Sequence, residues 1–193
     1  MASDLPFPGS HMKPDLDLLY PLTEFYEQSG APLPAASRID GASIPSPYRE
    51  LLVHDRDMTP TMEAACGRKV RLRVLQFSVR DDVLSREIVL VPEGMSKPLV
   101  FGAIRIYLRY FPDEARRLVL ELVQPLGAIL YTRNIPHTSR PDAYFQVRAD
   151  SVINAALGLQ GSPILYGRRN VLRDGAGNTL ARVLEILPPD QPA

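Results

Sequence analysis

The chain has 193 residues, enough for one domain of ordinary size, and 45% of them are hydrophobic, which excludes a wholly disordered polymer. Its 22 basic and 22 acidic residues cancel to a formal net charge of zero, leaving no electrostatic footprint for nucleic acid or an anionic membrane. One cysteine, Cys66, excludes an intrachain disulfide and a thiolate metal cluster, and three scattered histidines (His11, His54, His137) argue against a histidine metal site.

The amino terminus, MASDLPFPGSHMKPDL, lacks a basic region followed by an apolar one and so does not read as a secretory signal. No apolar run reaches the length of a membrane span, and the expected location is the cytoplasm. GSHM at 9–12 resembles a cloning scar, which makes 1–11 vector-derived and places the natural start at Met12. Residues 1–47 are rich in proline and small residues and read as an arm lying over the main body. One amphipathic helix is predicted in LDLLYPLTEFYEQSG, where Leu18, Leu22, Phe25 and Tyr26 form a stripe that Gly30 ends.

The main domain is expected over 48–193. SPYRELLV predicts a helix with Ser46 as cap and Pro47 in the first position. A second helix follows the polar link HDRD, with Thr59 as cap, Pro60 in the first turn and Gly67 as stop; on pattern alone, Met58 and Met62 pack the core. From residue 68, alternating RKVRLRVLQFSVR, then LSREIVLV and LVFGAIRIYL, joined by DDV and PEGMSKP, predict a three-stranded antiparallel meander. PDEARRLVLELV reads as a helix. AYFQVRAD, SPILYGRRNVLRD and TLARVLEILP read as strands, the last two joined by a DGAGN turn. The class is α+β: an antiparallel sheet of about six strands with helices packed on it.

Three charged sites break the apolar pattern of these strands. Arg86 shares a face with Ile88 and Leu90, while Glu87 shares the other with Val89 and Val91. Glu185 shares a face with Val183 and Leu187. In YGRRN, Arg168 and Arg169 point to opposite faces, so one can turn inward. The plain reading is a buried Arg86–Glu185 ion pair, or strand-end charges whose tips reach water. The functional reading is that Arg86 and Glu185 project into one small apolar pocket, the planar fork of Arg suiting a carboxylate and Glu suiting a hydroxyl or a proton transfer.

The segments LLVHDRDMTPTMEAACG, SREIVLVPEG, QPLG, YGRRN and LEILPP together resemble, in this order, the chorismate lyase (chorismate pyruvate-lyase) family, over residues 48–189. The resemblance implies a six-stranded antiparallel sheet enclosing a buried aromatic-acid site. It also implies conversion of chorismate to 4-hydroxybenzoate and pyruvate without metal or organic cofactor. Carried over residue by residue, it makes Met58, Arg86, Leu126 and Glu185 the substrate contacts and Arg86 and Glu185 the catalytic pair. Arg86 would clamp the carboxylate, Met58 and Leu126 would wall the ring, and Glu185 would bond the oxygen at C4. Ubiquinone or pigment biosynthesis is the pathway the family suggests. Residues 12–45 have no counterpart in it, and 92–124, expected to form part of a lid, match poorly, which leaves product identity open to a lyase giving a different hydroxybenzoate.

Two rival readings remain. Ligand-sensing domains of one class of bacterial transcription regulators share this fold and bind small acids without turnover. The first 47 residues, short and proline-rich, do not read as the winged helix–turn–helix that usually precedes them, which favours the lyase. The other is a structural relative within a biosynthetic complex, against which the four retained contacts argue.

Overall fold

The structure, a computed structural model, describes residues 17–189; the GSHM segment and the start expected at Met12 lie outside the described residues. In chain order the elements are α1 (Leu22–Ser29), β1 (Ala36–Ile39), α2 (Tyr48–Leu52), α3 (Met58–Cys66), β2 (Val70–Arg80), β3 (Val83–Pro92) and β4 (Val100–Tyr107). There follow α4 (Asp113–Leu120), α5 (Leu126–Thr132), β5 (Thr138–Arg148), α6 (Ser151–Leu157), β6 (Ile164–Arg173) and β7 (Thr179–Leu187). One antiparallel sheet runs in the order β1-β5-β6-β7-β4-β3-β2.

The sheet has seven strands where about six are expected, because the amino-terminal arm supplies β1, paired from Ala36 to Ile39 against Val147 to Tyr144. Its proline-rich flanks hide that short strand from a periodicity reading. The meander β2-β3-β4 matches the expectation, and the DDV turn has a physical cause. Asp81 and Asp82 both adopt positive φ (47° and 66°), and Arg80 pairs with Val83 across them, as a two-residue hairpin of right-handed twist requires.

Helices cover both faces, which is why both sides of β3 are apolar. On one face α1 and α6 pack Leu22, Phe25, Tyr26, Ile153 and Leu157 onto Val89, Phe101, Phe145 and Ile186. On the other, α4 and α5 cover Leu84, Ile106 and Leu172, while α2 and α3 cover Val70, Leu90 and Val100. Of the predicted stripe, Leu22, Phe25 and Tyr26 are buried on α1, which ends in left-handed Gly30, whereas Leu18 lies half-buried in the turn before the helix. The cap of α3 is not Thr59: the helix begins at Met58 with Asp57 in the cap position, and Asp57 makes no capping bond. Its carboxylate is engaged elsewhere, as described below. Helices α5 and α6 are absent from the sequence reading; α6 is bracketed by Asp150, which accepts from Ile153 N, and left-handed Gly158.

Candidate functional site

Arg86 lies mid-strand in β3, opposite Phe77 of β2 and Ile104 of β4. Alternation places it on the face that α2–α5 cover and turns Glu87 to the other, where Gln76 Nε2 donates to Glu87 Oε2 at 2.8 Å. Arg86 is 1% exposed. Its Nη2 makes one long bond, 3.4 Å, to Gln124 O in the α4–α5 connection, and Nε and Nη1 have no partner among the described residues. Burial pulls its pKa down to about 10, so the guanidinium remains charged at neutral pH. A buried cation with idle donors is costly, and a carboxylate is the group that would satisfy it.

The buried Arg86–Glu185 pair does not form. Glu185 in β7 lies directly opposite Arg168 in β6, and its Oε2 accepts from Arg168 Nε at 2.6 Å. Burial raises the Glu185 pKa, while the charge and hydrogen bond of Arg168 oppose that rise. Arg168 is itself saturated. Its Nη1 donates to Leu52 O (3.2 Å), His54 O (3.1 Å) and His54 Nδ1 (3.2 Å), and its Nη2 donates to Arg56 O (3.0 Å). The polar HDRD link is thereby fastened to the sheet through the one side chain that offers five donors in a rigid fork. Both arginines of YGRRN turn inward rather than one: Arg169, on the other face, donates from Nε to Asp142 Oδ1 at 2.7 Å.

Met58, Arg86, Leu126 and Glu185 line one cavity, together with Leu72, Ile88, Leu90, Ile104, Pro125 and Asn170 among others. Met58 and Leu126 are the first residues of α3 and α5, so two helix starts roof a sheet floor. Glycines permit the close approach. A Cβ on Gly102, between Ile88 and Glu185 in the sheet, would lie 2.4 Å from Leu184 O, and one on Gly127 would lie 3.1 Å from Thr59 Oγ1 across the α3–α5 contact. The cavity measures about 70 Å³. A void of about 150 Å³ admits benzene, so an aromatic occupant requires the roof to ease outward. The α4–α5 connection, tied to Arg86 through Gln124 O, is the piece placed to do so. The cavity shares Asp57, Thr59, Leu72, Pro125 and Gly127 with an open groove of about 1180 Å³, which also borders Lys69, Arg71, Tyr131 and His137.

Three polar residues at this site escape the sequence reading as ligand contacts. Arg168 is visible only as an alternation oddity. Asp57 and Asn170 line the cavity, Asn170 two residues beyond Arg168 and therefore on the same face of the strand. Asp57 Oδ2 accepts from His137 Nε2 at 2.8 Å. Burial pushes the Asp57 carboxyl up, but the bonds from His137 and the Ser139 hydroxyl outweigh it and hold the carboxyl below its ordinary value. Its bond to Asp57 correspondingly raises His137. Asp57 Oδ1 and Asn170 Oδ1 are both buried and without a hydrogen-bond partner among the described residues. His54, by contrast, is driven down to about 4 by burial and the Arg168 charge. It is neutral, with Nε2 directed at Leu51 O.

Among the described residues no group of three or more His, Cys, Asp or Glu side chains is placed to hold a metal ion, and no helix is long and apolar enough to cross a membrane. No protein-family model and no curated protein matches the chain. Solved structures do. PhnF from Mycobacterium smegmatis aligns over 73% of this chain and 67% of its own, at 16% identity and a TM-score of 0.53. The effector domain of PhnF alone aligns over 69% of this chain and 89% of that domain, with the same identity and score. The "possible transcriptional regulator YydK" from Bacillus subtilis aligns over 64% of this chain and 60% of its own, at 12% identity and a TM-score of 0.50. At such identities the likeness speaks to the fold alone, an α+β domain built on one antiparallel sheet.

Proposed function

We propose that the cavity beneath α3 and α5 binds a small ring acid, held through its carboxylate by Arg86. One observation carries this reading: a guanidinium 1% exposed, lining the cavity, with Nε and Nη1 unpartnered. Leu72, Ile88, Leu90, Ile104 and Leu126 supply apolar walls for the ring. The fold it shares with the PhnF effector domain supports effector binding.

A second reading, chorismate pyruvate-lyase, is favoured by a separate observation: the four residues that carry the sequence resemblance converge on this one cavity. In that reaction the ring C3–O bond breaks, the C4 proton leaves as the ring becomes aromatic, and the departing enolpyruvate takes up a proton to become pyruvate. Glu185, buried and raised in pKa, is the group placed to bond the C4 oxygen or carry a proton. The charge balance of the cavity ranks this reading second. Chorismate carries two carboxylates, and Arg86 is the cavity-lining residue with open cationic donors among the described residues. A second carboxylate would have to reach Lys69 or Arg71 in the adjoining groove, where Lys69 already pairs with Glu63 at 2.8 Å.

Incubation of the purified protein with chorismate, following pyruvate and resolving the aromatic product, separates the two. Pyruvate appearing in step with 4-hydroxybenzoate establishes the lyase. No turnover, with saturable binding of hydroxybenzoates, establishes the effector site. Neither turnover nor binding refutes both.

A further inference from the structure

Arg86 and Asn170 stand at opposite ends of one cross-strand row, Arg86–Ile104–Val183–Asn170, traced through β3, β4, β7 and β6. Three strand spacings of about 4.8 Å separate their backbones by roughly 14 Å, with cavity between. Asn170 is 1% exposed and its Oδ1 has no partner. The row thus has idle donors of Arg86 at one end and an idle amide oxygen of Asn170 at the other, and the cavity lining also includes the unpartnered Asp57 Oδ1.

The surrounding network fixes which end of that amide faces the cavity. His137 directs Nδ1 at Ile135 O (2.9 Å) and Nε2 at Asp57 Oδ2 (2.8 Å). Both targets are oxygens, so both ring nitrogens carry hydrogen in the imidazolium form, and Asp57 is its ionised, acceptor-only partner. The Ser139 hydroxyl can turn its hydrogen toward the Asp57 carboxylate, whose Oδ1 is buried and has no other partner among the described residues. What Ser139 Oγ has left is a lone pair, and this accepts from Asn170 Nδ2 at 2.8 Å. Turning the Asn170 amide over would set oxygen against oxygen. Asn170 Oδ1 is thus held toward the cavity as an acceptor.

We infer that Asn170, oriented through Ser139 by the Asp57–His137 pair, selects ligands that carry a hydrogen-bond donor, a hydroxyl or amino group, at the end remote from the carboxylate. This rests on the carboxylate site proposed above. A ligand lacking that donor would leave a buried carbonyl unpaired, which is how a polar site rejects an otherwise well-fitting analogue. The sequence carries no sign of it beyond the position of Asn170 in YGRRN.

Calorimetric titration of benzoate, 3-hydroxybenzoate, 4-hydroxybenzoate and 4-aminobenzoate into the full chain tests the inference, with Asn170→Leu and Ser139→Ala alongside. The wild type should bind the best donor-bearing acid at least tenfold more tightly than benzoate. In Asn170→Leu that ratio should fall to within threefold, and Ser139→Ala should lie between. If Asn170→Leu does not fold, Asn170→Ser serves for the same ratio. An undiminished ratio in the folded variant, or a wild type indifferent to the donor, overturns the role of Asn170 while the Arg86 site stands. No binding of any acid, or binding unaffected by Arg86→Met, overturns the carboxylate site and this inference with it.

Discussion

Replacing Arg86 by methionine should make the protein more stable. The guanidinium is almost wholly buried, and Nε and Nη1 are unpartnered. Burial lowers its pKa to about 10, a fall from the ordinary arginine value worth about 3 kcal/mol against the charged form. The lowered value lies far above neutrality, so the group is charged and this penalty is constant across ordinary assay pH. Methionine keeps an unbranched apolar stem of similar length and removes the charge and the idle donors. Allowing for the lost Gln124 contact, the net gain should be about 2 kcal/mol, or roughly 4–8 °C in midpoint for a chain of this size. Urea and thermal unfolding of wild type and variant without ligand measure it directly. A loss of 1 kcal/mol or more would mean that Arg86 is a structural member of the core, and the reasoning that makes it a ligand clamp would fail.

Arg168→Met should have the opposite sign. It leaves Glu185 buried without its partner and frees the 52–56 link, costing about 3–5 kcal/mol in urea unfolding; a loss under 1 kcal/mol contradicts the anchoring role. His54 should make the fold acid-sensitive. Its folded-state pKa of about 4 lies below the ordinary 6.5, so only the unfolded chain takes up the proton as pH falls, and stability drops from about pH 6.5 toward pH 4. At pH 5, wild type should have lost about 1–2 kcal/mol relative to pH 7 that His54→Gln retains; the same pH dependence in both proteins refutes this. Gly102→Ala places a Cβ 2.4 Å from Leu184 O and should destabilise by at least about 2 kcal/mol, whereas a change within 0.5 kcal/mol, small enough for an ordinary surface position, would show that the sheet can yield there.

The sequence reading and the structure agree where local periodicity decides conformation and part where partners come from distant segments. The meander and the division of Arg86 from Glu87 between faces follow from period-two alternation, and the DGAGN turn from its turn-forming residues, none of which needs knowledge of the fold. The resemblance names Met58, Arg86, Leu126 and Glu185, and the structure sets all four around one cavity. Pairing is another matter. Glu185 and Arg86 are the two obvious odd charges, yet strand register puts Arg168 opposite Glu185, and register between β6 and β7 is a tertiary property. The cap of α3 is misassigned for a similar reason, since Asp57 is drawn off its helix by His137, 80 residues away. Strand β1 is four residues long amid prolines and exists only because β5 offers an edge. Asn170 is invisible because its free oxygen depends on a network assembled from three separate segments.

The most direct test of the account is a crystal structure of the protein grown with 4-hydroxybenzoate. The account predicts the acid in the cavity beneath α3 and α5, with a carboxylate oxygen about 2.7–2.9 Å from Arg86 Nε or Nη1 and the α4–α5 connection displaced outward to admit the ring. An acid seated in the outer groove, or absent while Arg86 keeps its idle donors at saturating concentration, would contradict the assignment of Arg86 as the carboxylate clamp.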